Sequence, residues 1–179
     1  QDRRTDDRWF QNFKYLWLEL SLVGTNHAAT GRILALDFGK RRIGLAISDP
    51  SRLIASTMET LQRTTIRADL DALRDLAATR EAAMILMGLP LNMNGSEGLP
   101  AQRVREFAER LGRRTGLAVE LWDERLTSVA AEEMLRERGA NPDRRSGKVD
   151  ALAAAILLQG YLDEQRRGEE DEQAWAGDE

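Results

Sequence analysis

The stretch that decides the fold is residues 32–48, RILALDFGKRRIGLAIS. Arg32–Phe38 is an apolar run that carries an acid near its end, and Ile43–Ser48 is a second apolar run. Both are short, bounded by turn residues and rich in aliphatics, which is the pattern of buried strands. The link between them, Gly39-Lys40-Arg41-Arg42, is too short for a crossover and predicts an antiparallel hairpin. Asp37 then stands at a strand end. Gly39 lets the chain turn and come close to a phosphate. Gly44 leaves room in the second strand for a close approach.

The same reading extends outward. Asp49-Pro50 turns the chain, and Ile54–Leu61 is a third strand. Ile66, Leu70, Leu73, Leu76 and Ala77 recur at helical spacing over Thr65–Thr79, behind threonines suited to an N-cap. Ala83–Met87 is a short buried strand ended by Gly88-Leu89-Pro90, and residues 91–98 (LNMNGSEG) are a Gly/Asn loop. Leu99–Gly112 is a helix with Val104, Phe107, Ala108 and Leu111 inward. Ala118–Trp122 is a fifth strand. Ser128–Arg138 is a helix closed by Gly139. Residues 140–147 are a polar, basic loop, and Val149–Leu162 is a final helix, apolar almost all round and so buried. The order β-β-β-α-β-α-β-α-α predicts an α/β fold. It has a mixed five-stranded sheet, the first three strands antiparallel, with helices on both faces.

The chain has 179 residues and 20.2 kDa, the size of one domain with appendages. Residues 1–30 read as an N-terminal extension. Within it Trp9, Phe10, Phe13, Leu16, Trp17 and Leu20 outline one short amphipathic helix. A non-native leader, a mis-called start and a family-specific extension all remain open for this segment. Residues 31–162 form the folded domain, and 163–179 an acidic tail expected to be disordered.

The net charge is −4, but the tail carries eight acids against two arginines, while residues 31–162 carry 20 bases against 18 acids. Local patches therefore decide the partners, not the overall charge. Cysteine is absent and His27 is the single histidine, which excludes thiolate, Fe–S and multi-histidine chemistry. A bound metal would need oxygen ligands. No apolar run is long enough for a membrane span and no signal-peptide pattern is present, so the expectation is a cytoplasmic protein with no membrane partner.

Four acids sit at element ends among aliphatics: Asp37 ending the first strand, Asp123 and Glu124 ending the fifth, and Asp150 in the first turn of the last helix. Buried carboxylates are costly unless something pairs with them. If the first and fifth strands are parallel neighbours, their carboxyl ends gather these acids, and the last helix can bring Asp150 there too. Mg²⁺ or Mn²⁺ is the usual partner of such a cluster. Each acid also has a plainer reading. Asp150 suits a helix N-terminus, Asp123 or Glu124 could pair with Arg125, and Asp37 could be a turn residue.

An Asp-x-Gly hairpin belongs to two classes, actin/hexokinase-like ATPases and ribonuclease-H-like nucleases. The first repeats the hairpin in a second lobe, and no second copy is present here. ALDFGKRRIGLAISD at 35–49, GLPLNMNGSEG at 88–98, WDERLTS at 122–128 and KVDALAAAILLQGYL at 148–162 together resemble the YqgF family, also called RuvX. Its members are described as pre-16S rRNA nucleases and as Holliday junction resolvase-like. The resemblance covers about Arg32 to Leu162 and implies a ribonuclease-H-like fold. It also implies a metal-dependent phosphodiesterase whose catalytic acids match Asp37, Asp150 and the pair Asp123 and Glu124. Ribonuclease-H-like enzymes commonly carry another acid at the end of the fourth strand, where this chain reads Gly88-Leu89-Pro90. The middle metal ligand must then come from 123–124, and the longer reach of Glu124 favours it, with Asp37 and Asp150 as the other ligands.

Lys40, Arg41, Arg42, Arg125, Arg144, Arg145 and Lys148 flank these acids, as a polyanionic substrate requires. Asn92 and Asn94, with Ser96, are further candidates for backbone or base-edge contacts. The expected partner is structured nucleic acid: pre-16S rRNA by the resemblance, branched DNA as the alternative. The expected state is a monomer or homodimer. A third reading keeps the fold as a non-catalytic, nucleic-acid-binding assembly factor.

Overall fold

A computed structural model describes residues 31–126 and 148–176. Strands β1 (Arg32–Phe38) and β2 (Arg42–Ser48) form the expected antiparallel hairpin, with Asp37 opposite Gly44. β3 (Ala55–Thr57) and β4 (Leu61–Gln62) both pair antiparallel to β2. Helix α1 (Ile66–Thr79), strand β5 (Ala82–Leu89), helix α2 (Leu99–Thr115) and strand β6 (Ala118–Asp123) follow. A 3₁₀ turn at Glu124–Leu126 and helix α3 (Lys148–Ala176) complete the described elements. The sheet order is β3-β2-β1-β5-β6, with β5 parallel to both β1 and β6.

This is the α/β fold expected, a mixed sheet with helices on both faces, and three details differ. The third strand is two short pieces. Only Ala55 of β3 is buried, so little on that stretch compels a continuous ladder. The first and fifth predicted strands are not neighbours, because β5 lies between β1 and β6. Finally, α3 does not stop at Leu162 but runs to Ala176. Its acidic segment consists largely of strong helix formers, and Arg166 pairs with Asp163 at 2.7 Å one turn apart. The predicted helix at 128–138, the loop at 140–147 and the N-terminal extension lie outside the described residues.

Alternation along the strands divides the core. Leu34, Leu36, Ile43, Leu45, Ile85 and Met87 pack with Leu70 and Leu73 of α1 and with Val104, Phe107 and Leu111 of α2. Ile33, Ala35, Ala46 and Leu86 face the other way, against Ala154, Ala155, Leu158 and Tyr161 of α3. α1 starts at Thr65, whose side chain accepts from Ala68 N at 3.2 Å, the cap its threonines predicted. α3 is tied to the sheet margin by buried Gln159, which accepts from Ala55 N at 2.9 Å and donates to Leu53 O at 3.1 Å. No helix among the described residues is long and apolar enough to cross a membrane.

Candidate active site

Asp37 shares its side of β1 with Ile33 and Ala35, so it belongs to the face covered by α3. Two glycines on that face shape its surroundings. A Cβ on Gly44, its partner on β2, would lie 1.9 Å from the backbone oxygen of Asp150. The missing side chain is therefore what admits the first turn of α3 over β2. A Cβ on Gly88, near the end of β5, would lie 2.6 Å from Oε1 of Glu124. Here the missing side chain admits a carboxylate from the end of β6. Since β5 separates β1 from β6, Glu124 comes towards Asp37 through the space that a residue 88 side chain would fill. The position without the expected fourth-strand acid is thus occupied by an acid from the neighbouring strand.

The electrostatics separate the acids into two kinds. Burial, and secondly the nearby Asp150, raise the Asp37 carboxyl above its ordinary range. Burial, then Asp37, then Asp123 raise that of Glu124. Glu124 is exposed as a residue, yet its carboxyl end is the part turned in against Gly88. Asp123 is lowered, chiefly by its hydrogen bonds with Arg125. Arg125 donates to it from Nε at 3.0 Å, from Nη2 at 2.6 Å and from the backbone N–H at 3.0 Å. The side chains of these adjacent residues therefore serve different ends. Asp150 is met by Arg42, whose Nε stands 2.8 Å from Oδ2.

The predicted basic and amide residues divide similarly. Lys40 and Arg41 are exposed at the hairpin turn beside Asp37. Arg42 points to Asp150. Besides binding Asp123, Arg125 donates from Nη1 to the carbonyls of Asn92 and Met93 at 3.2 and 3.3 Å, bracing the 91–98 loop. Asn92 Nδ2 donates to Ser96 Oγ at 2.9 Å, and Asn94 Oδ1 accepts from Ser96 N at 3.0 Å. These amides close the loop on itself. Arg144 and Arg145 lie outside the described residues, and the backbone of Lys148 opens α3. Sequence reasoning passes over Gly88, Arg63 and Asp69. For Gly88 a signal exists: a glycine where an acid is expected, one strand from a surplus acid.

The donor set suits a hard divalent cation. It is all carboxylate, and the rise at Asp37 and Glu124 comes partly from neighbouring negative charge, which a cation relieves. Among the described residues no three acids close into one ligating group, and Asp150 is instead turned to Arg42.

The profile of the RuvX family, described as Holliday junction resolvase, matches residues 31–164. The chain belongs to the RuvX family. A relative in Koribacter versatilis, named "Putative pre-16S rRNA nuclease", is 46% identical over 141 residues, covering 79% of this chain and 91% of its own. One of the same name in Nitrobacter hamburgensis is 47% identical over 133 residues, 74% of this chain and 82% of its own. Among solved structures, Thermus thermophilus RuvC in complex with a Holliday junction substrate superposes with a TM-score of 0.54 at 15% identity. That match covers 76% of this chain and 96% of RuvC. The RuvX membership spans every described element up to the first part of α3, and the RuvC likeness shows that the ribonuclease-H-like fold is shared.

Proposed function

We propose that this RuvX-family chain is a divalent-metal-dependent nuclease that hydrolyses phosphodiester bonds in structured nucleic acid, with the 5′ end of pre-16S rRNA as its substrate. The observation that carries the reading is the meeting of Asp37, Glu124 and the start of α3 at one end of the sheet, made possible by Gly44 and Gly88. The pre-16S assignment comes from the names of the relatives.

In this reading Asp37, Glu124 and Asp150 would hold Mg²⁺ or Mn²⁺, Asp150 being paired with Arg42 in this structure. When bound, the cation supplies positive charge at the scissile phosphate and acidifies water. Asp37, at the end of a central strand, fixes where phosphorus must sit. Lys40 and Arg41 hold the flanking phosphates. Arg42 balances the charge of Asp150. Asp123, saturated by Arg125, orients the turn that carries Glu124 and does not bind metal. The protein works in the cytoplasm, where its substrate is made.

The test is the purified chain with Mg²⁺ or Mn²⁺ on a pre-16S 5′ fragment, a four-way DNA junction and a matched duplex, beside Asp37→Asn. Cleavage of the first substrate alone supports the reading. Symmetric cutting of the junction moves the function to a resolvase, the description its family profile carries, and that activity calls for a dimer. Binding without cleavage leaves an assembly factor.

A further inference from the structure

Arg63 follows β4 and is only 18% exposed, yet it is not used in the chemistry above. Its guanidinium is engaged in three directions. Nε donates to Oδ2 of Asp69 at 3.1 Å, and Nη1 donates to the carbonyl of Gly39 at 2.8 Å. Its Cζ lies over the Phe38 ring, 4.1 Å from the centroid, and Phe38 packs on Phe107 of α2. The backbone N–H of Arg63 also donates to the carbonyl of Arg41 at 3.0 Å. Both carbonyls belong to the turn that follows Asp37. Asp69 is 2% exposed in the first turn of α1, and its other oxygen accepts from Thr64 N at 3.0 Å.

A buried ion pair is weak evidence for stability, because apolar residues of the same volume often do as well. What this pair supplies is direction. Asp69 aims the guanidinium, and the planar fork can grip a carboxylate, a carbonyl and a ring at once, which no single ammonium does. The object gripped is a turn carrying two adjacent exposed cations. Left free, these would repel each other and lose entropy on meeting a polyanion. Held in advance, they bind at lower cost.

We propose that Arg63 is a positioning residue for nucleic-acid binding, fixing the Gly39–Arg41 turn so that Lys40 and Arg41 form a preset pair of phosphate contacts beside Asp37. This rests on the nucleic-acid reading of the site. The experiment measures affinity for the pre-16S 5′ fragment in EDTA, across salt, for Arg63→Lys in two backgrounds: wild type and Lys40→Ala/Arg41→Ala. In the wild-type background Arg63→Lys weakens binding about tenfold, the size of a coupling between groups sharing one network. It also makes the log–log salt slope shallower by roughly 0.7–0.9 for each phosphate that is no longer neutralised. In the alanine background it changes affinity less than about twofold, within ordinary additivity error. In turnover, KM rises more than kcat falls.

Equal losses in both backgrounds would mean that Arg63 acts through general stability, and the proposal fails. It also fails if Lys40→Ala/Arg41→Ala itself binds like wild type, because the turn then touches no phosphate. The nuclease reading fails separately, when Asp37→Asn cleaves normally. Asp69→Asn keeps an acceptor but removes the charge that aims Arg63. It repeats the test should Arg63→Lys not fold, with the same coupling expected and the same additive result overturning it.

Discussion

Asp37 and Asp49 lie at opposite ends of the same hairpin, and their surroundings treat the same side chain in opposite ways. Burial raises Asp37, and Asp150 raises it further. For Asp49 burial also raises the carboxyl, but hydrogen bonds outweigh it. Ser51 Oγ and the N–H groups of Ile54, Leu53 and Ser51 together hold it at about 2. Asp49 is a turn-builder: Leu53 N and Ile54 N donate to one of its oxygens at 2.8 and 2.7 Å. The difference teaches how to sort carboxylates in a chain with 30 of them. An acid supplied with N–H donors is held ionised by them, whereas one pushed up by burial and by other acids is, in the function proposed, the one to take a cation. Asp123 falls in the first kind and its neighbour Glu124 in the second.

The sharpest way to break this contrast is Asp37→Asn. It removes a charge that the fold does not require, so cleavage falls by about a thousandfold, the several kcal/mol a lost metal site costs. Calorimetry finds a melting temperature no lower than wild type, since repulsion with Asp150 is relieved. Wild-type cleavage would remove Asp37 from the chemistry.

Next in size is Gly44→Ala. Its new methyl meets backbone of α3, which has no rotamer to yield, so the loss of stability reaches or exceeds the roughly 1–3 kcal/mol of ordinary overpacking. Denaturant unfolding measures it. For Gly88→Ala the nearest atoms all belong to the movable side chain of Glu124. Stability therefore falls by about 1 kcal/mol or less, while activity drops by about tenfold to a hundredfold as the carboxylate shifts by a fraction of an ångström. The pair separates the glycine that admits a helix from the one that admits a charge.

The smallest effect belongs to the other end of the hairpin. The folded-state carboxyl of Asp49 lies below its unfolded value of about 3.9, so its stabilisation is complete above that pH and is lost as pH falls towards 2. After allowance for solvent screening it amounts to about 1 kcal/mol. Asp49→Asn should melt below wild type at pH 7, with the gap closing between pH 4 and pH 2. A gap independent of pH would assign the loss to packing.

Much of this is legible in the sequence because it is local. The hairpin follows from two apolar runs around a four-residue link, and α1 from Thr65 and its helical spacing. What is not legible depends on strand order and on tertiary partners. Nothing within residues 82–89 says that this strand inserts between β1 and β6, so the missing acid at Gly88 is a signal that only the strand order explains. In sequence only the longer reach of Glu124 separates it from Asp123. The 3₁₀ turn after β6 turns one carboxylate to Arg125 and the other inward. Asp69 reads as an ordinary first-turn acid until Arg63, six residues earlier, is seen folded back on it. The acidic segment after Leu162 reads as a tail by its charge, but its residues are helix formers continuing a helix already anchored by Leu157, Leu158 and Tyr161.

The passage of α3 over Gly44 also sets a reading frame. Asp150 is followed directly by Ala151, and Ala154 and Ala155 pack on the sheet one turn later. Each residue added or removed between them would swing Asp150 by about 100° around the helix axis and carry it about 1.5 Å along it. Relatives that gain or lose residues should therefore do so before Lys148 or beyond the packed turns, leaving the interval from Asp150 to Ala154 constant in length even where its letters change.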